Sequence, residues 1–322
     1  MPDYRPFRLS EACLHAPTKL SIELLFEGIL YDYAIEYDLN GITSESLYHS
    51  PNGKRVPVFL RGDAGDRMDS VVKGRLTKST AYLTIAPGYN YPVCAKVLRE
   101  IQDIMVVYQS FDSFVEESYG IAMKDPEIKE MMKSGLNAAD LVTGFFGEEH
   151  AMPGRRSTGF NEGDTNNTRV DIHLIHDFKE ADVNKDLMAF PLNIESSGTV
   201  EMFSLMGPIA KALKEGKTLV IDEFGSNFHP MLSRWIVGLF NYESNDNGAQ
   251  LIVNTHDMGL MDIEEVFRRD QIWFTNKDRP SGKCELYALT DFKGVRKGSD
   301  IRKDYLYGRY DAVPRIIGVR RL

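Results

Sequence analysis

Two adjacent carboxylates follow a short apolar run in the stretch LVIDEFGSNFHP, which spans residues 219–230. The run Leu219–Ile221 predicts a buried strand, and Asp222 and Glu223 come directly after it. Two neighbouring charges there destabilise each other unless a cation or a polar ligand compensates them. Mg2+ bound to nucleotide phosphates meets this need. Asp222 would hold the metal, and Glu223 would orient and deprotonate an attacking water.

An apolar strand followed by Asp-Glu is the Walker B pattern of ATPases, although the pattern also arises by chance. The next predicted strand, LIVNTHD, contains His256. Its imidazole would lie on the same rim of the sheet as Glu223 and could donate a hydrogen bond to charge that develops on a γ-phosphate. Upstream, NIESSGTVEMF places Ser196, Ser197 and Gly198 before a long helix, whose start can bind an anion. A plain N-cap role explains Ser196 better when it is taken alone.

The elements that must position these residues follow Thr168 and alternate between strand and helix. One helix is predicted over 199–216, with a kink at Pro208 and an end at Gly216, and another over 230–240. Strands are predicted at 168–176, 219–221, 249–255, 271–276 and 284–289. This alternation predicts right-handed crossovers and a mostly parallel sheet, in which a ligand lies at the carboxyl ends of the strands.

The first third of the chain predicts antiparallel β structure instead. Alternating apolar and polar residues predict hairpins over 19–38 and 46–61. From Tyr91 to Tyr108 the apolar residues recur with helical spacing, and a more polar helix is predicted over 126–134. The segment 136–167 is rich in glycine, asparagine and charge, and a loop is predicted there.

These patterns together predict an α/β fold with a mostly parallel core sheet, an antiparallel β subdomain and a helical insertion. The predicted domains are a β-rich N-terminal lobe over 1–87, a helical insertion and loop over 88–165, and a core lobe over 166–322. The core lobe carries the acid pair, the serine loop and His256.

The composition is that of an ordinary globular protein, with 43% hydrophobic and 26% charged residues over 322 positions. No apolar run is long enough to span a bilayer, and the N-terminus lacks the pattern of a secretory signal. Three dispersed cysteines without a CxxC pair favour a reducing cytoplasm. The net charge of −9 argues against wrapping nucleic acid. Residues 293–322 nevertheless hold nine Lys or Arg against three Asp, which favours a solvated face over a polyanion-binding one.

Several stretches, taken together, resemble one known family. They are ESSGTVEMFSLMGPI, LVIDEFGSNFHP, GAQLIVNTHD, RRDQIWF and YLYGRYDAVP, and they cover the C-terminal half closely. The sequence resembles the ABC-type AAA ATPases of the RloA/abortive-infection group, which are relatives of the SMC, Rad50 and OLD ATPases. The N-terminal YRPFRLSE region matches more loosely. The resemblance implies a P-loop NTPase fold of ABC-ATPase type.

The resemblance also implies roles for individual residues. Ser196, Ser197, Gly198 and Thr199 would form the signature motif, which contacts the γ-phosphate of an ATP bound by a partner subunit. Asp222 would serve Mg2+, Glu223 would be the catalytic base and His256 the switch histidine. Gly225, Ser226 and Asn227 would form the D-loop.

One motif of the family is absent. A P-loop needs GxxxxGK[ST], and no such string occurs in the 322 residues. The string SPNGKRVP has a Gly-Lys pair, but it lies in a predicted hairpin turn and lacks the preceding glycine and the Ser/Thr. Truncation is the favoured explanation, with a separate polypeptide or a degenerate ATPase as alternatives. The chain alone is expected to bind Mg·ATP poorly.

The leading hypothesis is an ATP-driven switch in phage defence or DNA-related work, in which two copies sandwich ATP and hydrolysis releases the pair. A nuclease partner encoded nearby and contact with nucleic acid are further expectations, and no membrane partner is expected. One alternative is a non-catalytic scaffold that keeps the fold without turnover. Another makes Asp222, Glu223 and His256 a metal-dependent nuclease centre.

Two other histidine features predict structural roles. His173 and His176 lie three residues apart on a predicted strand and therefore point to opposite faces, so they cannot share one metal ion. His229 precedes Pro230 and is predicted to have a turn or capping role.

Overall fold

The computed structural model describes residues 4–107, 114–139, 142–151, 168–177, 188–241, 245–296 and 298–314. These residues form two compact units, which are taken in turn. The first unit contains the described residues of Met1–Asp103, Trp273–Tyr287 and Tyr310–Leu322. The second contains those of Ile104–Ile272 and Ala288–Arg309. The predicted domain boundaries at 87 and 165 remain predictions.

The first unit is built on a four-stranded antiparallel sheet in the order β1-β2-β3-β4. Its strands are β1 (Thr18–Phe26), β2 (Ile29–Asp38), β3 (Gly41–His49) and β4 (Val56–Gly62). Both predicted hairpins are confirmed, since β1 pairs with β2 and β3 with β4. Three helices, α1 (Ser70–Lys73), α2 (Tyr82–Ile85) and α3 (Pro92–Gln102), belong to the same unit. Residues from the sheet and all three helices form its core, which includes Leu47, Phe59, Val72, Tyr82 and Val97.

A buried carboxylate joins the sheet to helix α2. Glu45 on β3 is 0% exposed, and its two oxygens accept hydrogen bonds from the backbone N–H groups of Tyr82 and Leu83 at distances of 2.7 and 3.0 Å. These are N–H groups of the first helical turn, which have no partner inside the helix. Arg61 donates a further bond to Glu45, so the buried charge is compensated.

The helix predicted from Tyr91 to Tyr108 is too long. Helix α3 ends at Gln102, and Met105–Val107 form strand β5, which pairs in parallel with residues 219–221. Tyr108 lies outside the described residues. The apolar spacing continues past Gln102, but strand pairing with a distant segment determines the conformation of 105–107.

The second unit contains a three-stranded parallel sheet in the order β10-β9-β5. Strand β9 (Thr218–Ile221) is central, and β10 (Gln250–Val253) pairs with it in register, so that Ile221 lies opposite Val253. Helices α6 (Ser197–Glu215) and α7 (Pro230–Asn241) precede and follow β9, as predicted. Their apolar residues form one core with Leu219 and Ile221.

The rest of the second unit is antiparallel or helical, which corrects two expectations. Strands β6 (Gly144–Ala151), β7 (Thr168–His176) and β8 (Met188–Pro191) form an antiparallel sheet, so the fold is mixed α/β. The core sheet β10-β9-β5 is parallel as predicted, but the predicted strand 168–176 is not part of it. Helices α4 (Val115–Lys124) and α5 (Pro126–Ala138) precede this sheet. The loop predicted over 136–167 is therefore wrong at 144–151, and residues 152–167 lie outside the described part.

Two short elements near the C-terminus also depart from a single parallel sheet. Strands β11 (Trp273–Lys277) and β12 (Cys284–Ala288) pair only with each other among the described strands. In the first unit the Phe274 ring stacks on Tyr310 at a centroid distance of 5.0 Å, and both side chains are buried. The neighbouring Trp273 lies on the opposite face of β11 and is 55% exposed.

Helix α6 continues through Pro208, and a neighbouring side chain bonds to its backbone in the turn before the proline. The Gly207 N–H would ordinarily donate to the carbonyl of Phe203. Instead it donates to Oγ of Ser118 at 2.9 Å, and Ser118 donates to the Phe203 carbonyl at 2.8 Å. Ser118 is on α4 and is 0% exposed. This hydroxyl joins α4 to the helix that begins with the serine loop.

Candidate functional site at the carboxyl edge of the parallel sheet

The end of β9 is held by backbone bonds on both sides. The Asp222 N–H donates to the carbonyl of Val107 on β5 at 3.0 Å. On the other side, Asn254 N–H donates to the Ile221 carbonyl at 3.0 Å, and Phe224 N–H donates to the Asn254 carbonyl at 2.9 Å. The acid pair is therefore fixed at the carboxyl edge of the sheet, where open α/β sheets bind ligands.

Side chains reinforce the contact between the two strand ends. Asn254 Nδ2 donates to Oδ1 of Asp222 at 2.8 Å. Thr255 Oγ1 donates to the carbonyl of Phe224 at 2.7 Å. The Asn254 bond restricts the orientation of the Asp222 carboxylate and leaves Oδ2 as its other acceptor. Asp222 is half-buried, which suits a residue that binds a ligand at the rim.

Glu223 has an unusual backbone conformation. Its φ is +54°, in the left-handed region that a residue with a Cβ rarely occupies, and its side chain is exposed. Left-handed φ in a non-glycine residue costs about 1–2 kcal/mol and is concentrated at functional sites. The chain therefore retains a glutamate at a position that glycine would occupy with less strain.

His256 lies two residues beyond Asn254 and is exposed. The parallel register places its segment beside the segment of Glu223. After it, Asp257 accepts a hydrogen bond from Gly259 N–H at 2.7 Å and starts a short 3-10 turn. The turn fixes the backbone that follows the imidazole.

The serine loop forms the start of α6. Ser196 is the N-cap, and its Oγ accepts from the Thr199 N–H at 3.2 Å and contacts Thr199 Oγ1 at 2.8 Å. The N-cap role expected for Ser196 is confirmed. Ser196 and Ser197 are exposed, whereas Thr199 is buried. Exposed hydroxyls at the first turn of a long helix can receive an anion.

Residues 225–227 connect the acid pair to the serine loop. A Cβ on Gly198 would lie 3.0 Å from the Asn227 carbonyl oxygen, so the helix start and this loop are in close contact. Gly225 has a φ of +77°, and a Cβ there would lie 2.6 Å from Oγ of Ser233 on α7. The loop thus passes between α6 and α7 where there is room for glycine only. His229 then caps α7, as expected, since its Nδ1 accepts from Met231 N–H at 3.3 Å.

A buried carboxylate on α6 also contacts this loop. Glu201 is 1% exposed, and its Oε2 accepts from Asn227 Nδ2 at 2.9 Å. Burial raises the pKa of the Glu201 carboxyl. The Asn227 side chain and the backbone N–H groups of Gly225 and Asn227 partly offset this rise. Its Oε1 is buried without a hydrogen-bond partner.

Three residues of this region were not found from the sequence. Asn254 and Thr255 are adjacent to His256, and their roles depend on the register between β9 and β10. Glu201 is a carboxylate in the otherwise apolar run TVEMFSLM, and this position is the sequence signal that could have indicated a buried charge. The predicted roles of the site residues remain predictions.

One face of the parallel sheet has no covering layer within the part of the chain that the structure describes. Val106, Val220 and Ile252 are directly paired across the three strands and therefore share a face. Val106 and Ile252 are each 48% exposed, although parallel sheets are ordinarily covered on both faces. Asp222 and Asn254 lie two residues further along on the same face.

Other features of the second unit do not assemble a metal site. His173 contacts the Asp171 carbonyl, and its ring stacks on Phe146, whereas His176 Nε2 lies 2.8 Å from Glu195. The two histidines thus have separate partners. Within the described ranges, no three His, Cys, Asp or Glu side chains converge as metal ligands. None of the described helices has the length and apolar character needed to cross a membrane.

Comparison with known proteins identifies a family. The profile of the family described as "AAA domain, putative AbiEii toxin, Type IV TA system" matches residues 6–262. Among solved structures, the chain is similar to the SMC head domain from Thermotoga maritima, with 13% identity, a TM-score of 0.34 and coverage of 81% of this chain and 74% of that one. It is also similar to an SMC head bound to the C-winged helix domain of ScpA, with 11% identity, a TM-score of 0.38 and the same coverage. No curated protein matches.

Proposed function

The chain belongs to this AAA-domain family, and from that premise we propose that it is an ATP-driven switch whose Mg·ATP site lies at the carboxyl edge of β9 and β10. The observation that carries the proposal is the alignment of the two strand ends, in which Asn254 orients Asp222 at 2.8 Å. Glu223 and His256 belong to the same two segments. The three side chains needed for phosphate chemistry thus come from one edge of the sheet.

The residues present fit Mg2+. The ion prefers oxygen ligands and is usually bound through one or two carboxylates together with substrate phosphates. Asp222 offers a half-buried carboxylate whose orientation is fixed by Asn254. When bound, Mg2+ would neutralise charge on the phosphates. Exposed Glu223 would take the proton of an attacking water, and His256 would donate a hydrogen bond to the developing charge.

The serine loop would act on a second nucleotide. Ser196 and Ser197 are exposed at the first turn of α6, where free N–H groups and the helix dipole favour an anion. The resemblance assigns this loop to the γ-phosphate held by a partner subunit. Two copies would therefore close around ATP and separate after hydrolysis.

The phosphate-binding loop itself would come from outside these 322 residues. The chain has no GxxxxGK[ST], and the face formed by Val106, Val220 and Ile252 has no covering layer among the described residues. A helix that covers a parallel sheet in a right-handed crossover starts at the carboxyl edge of the strands. Its N-terminus would then lie beside Asp222 and supply N–H groups for the phosphates. The phosphate-binding loop and its helix would be part of the same polypeptide beyond these residues or part of a separate polypeptide.

The family description names a toxin of a toxin–antitoxin system. On this ground we propose that the switch acts in phage defence or a related DNA process, with a separate nuclease as its partner. The rival function is a scaffold without turnover, which the missing phosphate loop favours. A nuclease centre at the same acids is the weaker rival, and metal-dependent DNA cleavage without ATP would support it.

The test compares the chain alone with an assembly that includes the phosphate-binding segment. Calorimetry of the chain alone should show no tight Mg·ATP binding, because these residues contain no P-loop to bind the phosphates. In the complete assembly, Glu223→Gln should abolish hydrolysis and retain an ATP-dependent dimer in size-exclusion chromatography with light scattering. Glu215→Gln, which changes an exposed glutamate on α6, is the matched control. Normal hydrolysis by Glu223→Gln would refute the role of Glu223 as base.

A further inference from the structure

Asn227 joins the loop 225–227 to the start of α6 through both its backbone and its side chain. The backbone carbonyl of Asn227 packs against Gly198, where a Cβ would lie at 3.0 Å. Its side-chain amide donates to Glu201 at 2.9 Å. One residue of the loop therefore contacts the helix twice, through its backbone and through its side chain.

Burying the Glu201 carboxylate destabilises the folded protein relative to burying an apolar residue at the same position. The carboxylate is 1% exposed, and one of its oxygens has no partner. An unsatisfied buried polar atom lowers the stability of the folded protein. An apolar residue in the run TVEMFSLM would avoid that cost. The feature gained is a charge-assisted hydrogen bond to Asn227, which is stronger and more directional than apolar contact.

From this geometry we propose that Glu201 is a positioning residue that holds the loop 225–227 against the serine loop, so that the two are presented as one rigid surface. The proposal rests on the proposed function in assigning that surface to the nucleotide of a partner subunit. Glu201 itself touches neither nucleotide nor metal, and it acts through Asn227.

The contact also fixes the position of the acid pair relative to the serine loop. Phe224, next to Glu223, is buried and hydrogen-bonded to Asn254. Gly225 is confined by Ser233. The loop is therefore fixed at its start by β10 and α7, and Glu201 fixes its other end to α6. Ser226 and Asn227 are exposed, the buried Phe228 follows them, and the Glu201 bond is the side-chain contact that joins Asn227 to α6.

The test is hydrogen–deuterium exchange of the peptide covering 222–229, which requires no nucleotide. Glu201→Ala removes the acceptor, and we expect exchange in this peptide to be faster by about tenfold or more. Glu201→Gln keeps one acceptor oxygen and the volume, so a smaller increase is expected. Glu215→Gln on the same helix should leave the peptide at the wild-type rate. Wild-type exchange in both Glu201 variants would overturn the proposal.

A double-mutant cycle covers the case in which Glu201→Ala does not fold. Glu201→Gln and Asn227→Ala are combined, and the exchange of 222–229 is compared with each single variant. The double variant should exchange no faster than Asn227→Ala, because Glu201→Gln weakens the same contact that Asn227→Ala removes. Additive effects would contradict the proposal.

A functional readout separates positioning from general stability. In the ATP-hydrolysing assembly, Glu201→Gln should lower kcat several-fold with KM for ATP unchanged. A fall in kcat that Glu215→Gln reproduces would contradict the role of Glu201. If the Glu201 variants show faster exchange in 222–229 but no assembly hydrolyses ATP, the proposed function is contradicted. The positioning of the loop 225–227 by Glu201 is then still supported.

Discussion

Asn254 Nδ2 donates a 2.8 Å hydrogen bond to Oδ1 of Asp222 and so joins the ends of two neighbouring parallel strands. The strands pair in register, which puts the amide and the carboxylate on the same face. Replacing an outer residue that orients a metal-binding carboxylate typically lowers metal affinity by about 10- to 100-fold. Asn254 is therefore the first residue to test beyond the acid pair itself.

Asn254→Ala should weaken the binding of Mg2+ by the assembly. We expect the Mg2+ concentration for half-maximal ATP hydrolysis to rise about tenfold or more, because the Asp222 carboxylate loses its orientation. The measurement is a Mg2+ titration of the hydrolysis rate. Gln250→Ala, at an exposed amide on strand β10, which Asn254 follows, should leave the titration unchanged. An unchanged titration for Asn254→Ala would show that the amide does not serve the metal.

Glu223→Gly should stabilise the protein while removing the proposed base. Glycine adopts a φ near +54° without a Cβ clash, so the free energy of unfolding should rise by about 1 kcal/mol. Chemical denaturation measures the change. Ser226→Gly, in the same loop and without a positive φ, should give no such gain. A loss of stability in Glu223→Gly would indicate that the side chain makes stabilising contacts.

Ser118→Ala should destabilise the second unit by about 1–2 kcal/mol. The change leaves the Gly207 N–H and the Phe203 carbonyl without the hydroxyl that bridges them. Urea denaturation measures this loss. Ser134→Ala, at an exposed serine of α5, is the control and should lie within about 0.5 kcal/mol of wild type. Equal stability of the two variants would mean that α6 re-forms the direct bond.

Glu201→Gln should change how stability depends on pH. The folded protein raises the pKa of Glu201 above its ordinary value of 4.5, so the folded state binds more protons in the window between these two values. The stability that Glu201 contributes is therefore full below about 4.5 and is lost as the pH rises through the raised value. The unfolding free energy of Glu201→Gln relative to wild type should rise with pH across this window. A difference that is flat with pH would mean that Glu201 has the same pKa in both states.

The local elements of the site were predictable because each has a strong local signal. An apolar run ending in Asp-Glu predicts β9, a serine before apolar helical spacing predicts the start of α6, and Gly216 predicts its end. These signals arise from burial, capping and left-handed φ, which act within a few residues.

The remaining features depend on contacts between distant segments. Residues 105–107 continue a helical pattern, yet they form β5 because β9 offers a parallel partner. Glu201 and Asn227 lie 26 positions apart, so only the packing of α6 on the loop brings them together. The bond between Asn254 and Asp222 likewise requires the register of β9 and β10. Such relationships have no short-range signal in a single sequence.

The most direct test of the central claim is to locate the metal–nucleotide site by paramagnetic line broadening. Mn2+ with ATP is added to the isotopically labelled chain at millimolar concentration, since broadening detects weak occupancy. We expect the strongest loss of amide signal at Asp222, Glu223, Asn254 and His256. In Asp222→Asn these signals should no longer be broadened. Broadening centred on another surface, or unchanged in Asp222→Asn, would contradict a Mg·ATP site at this edge of the sheet.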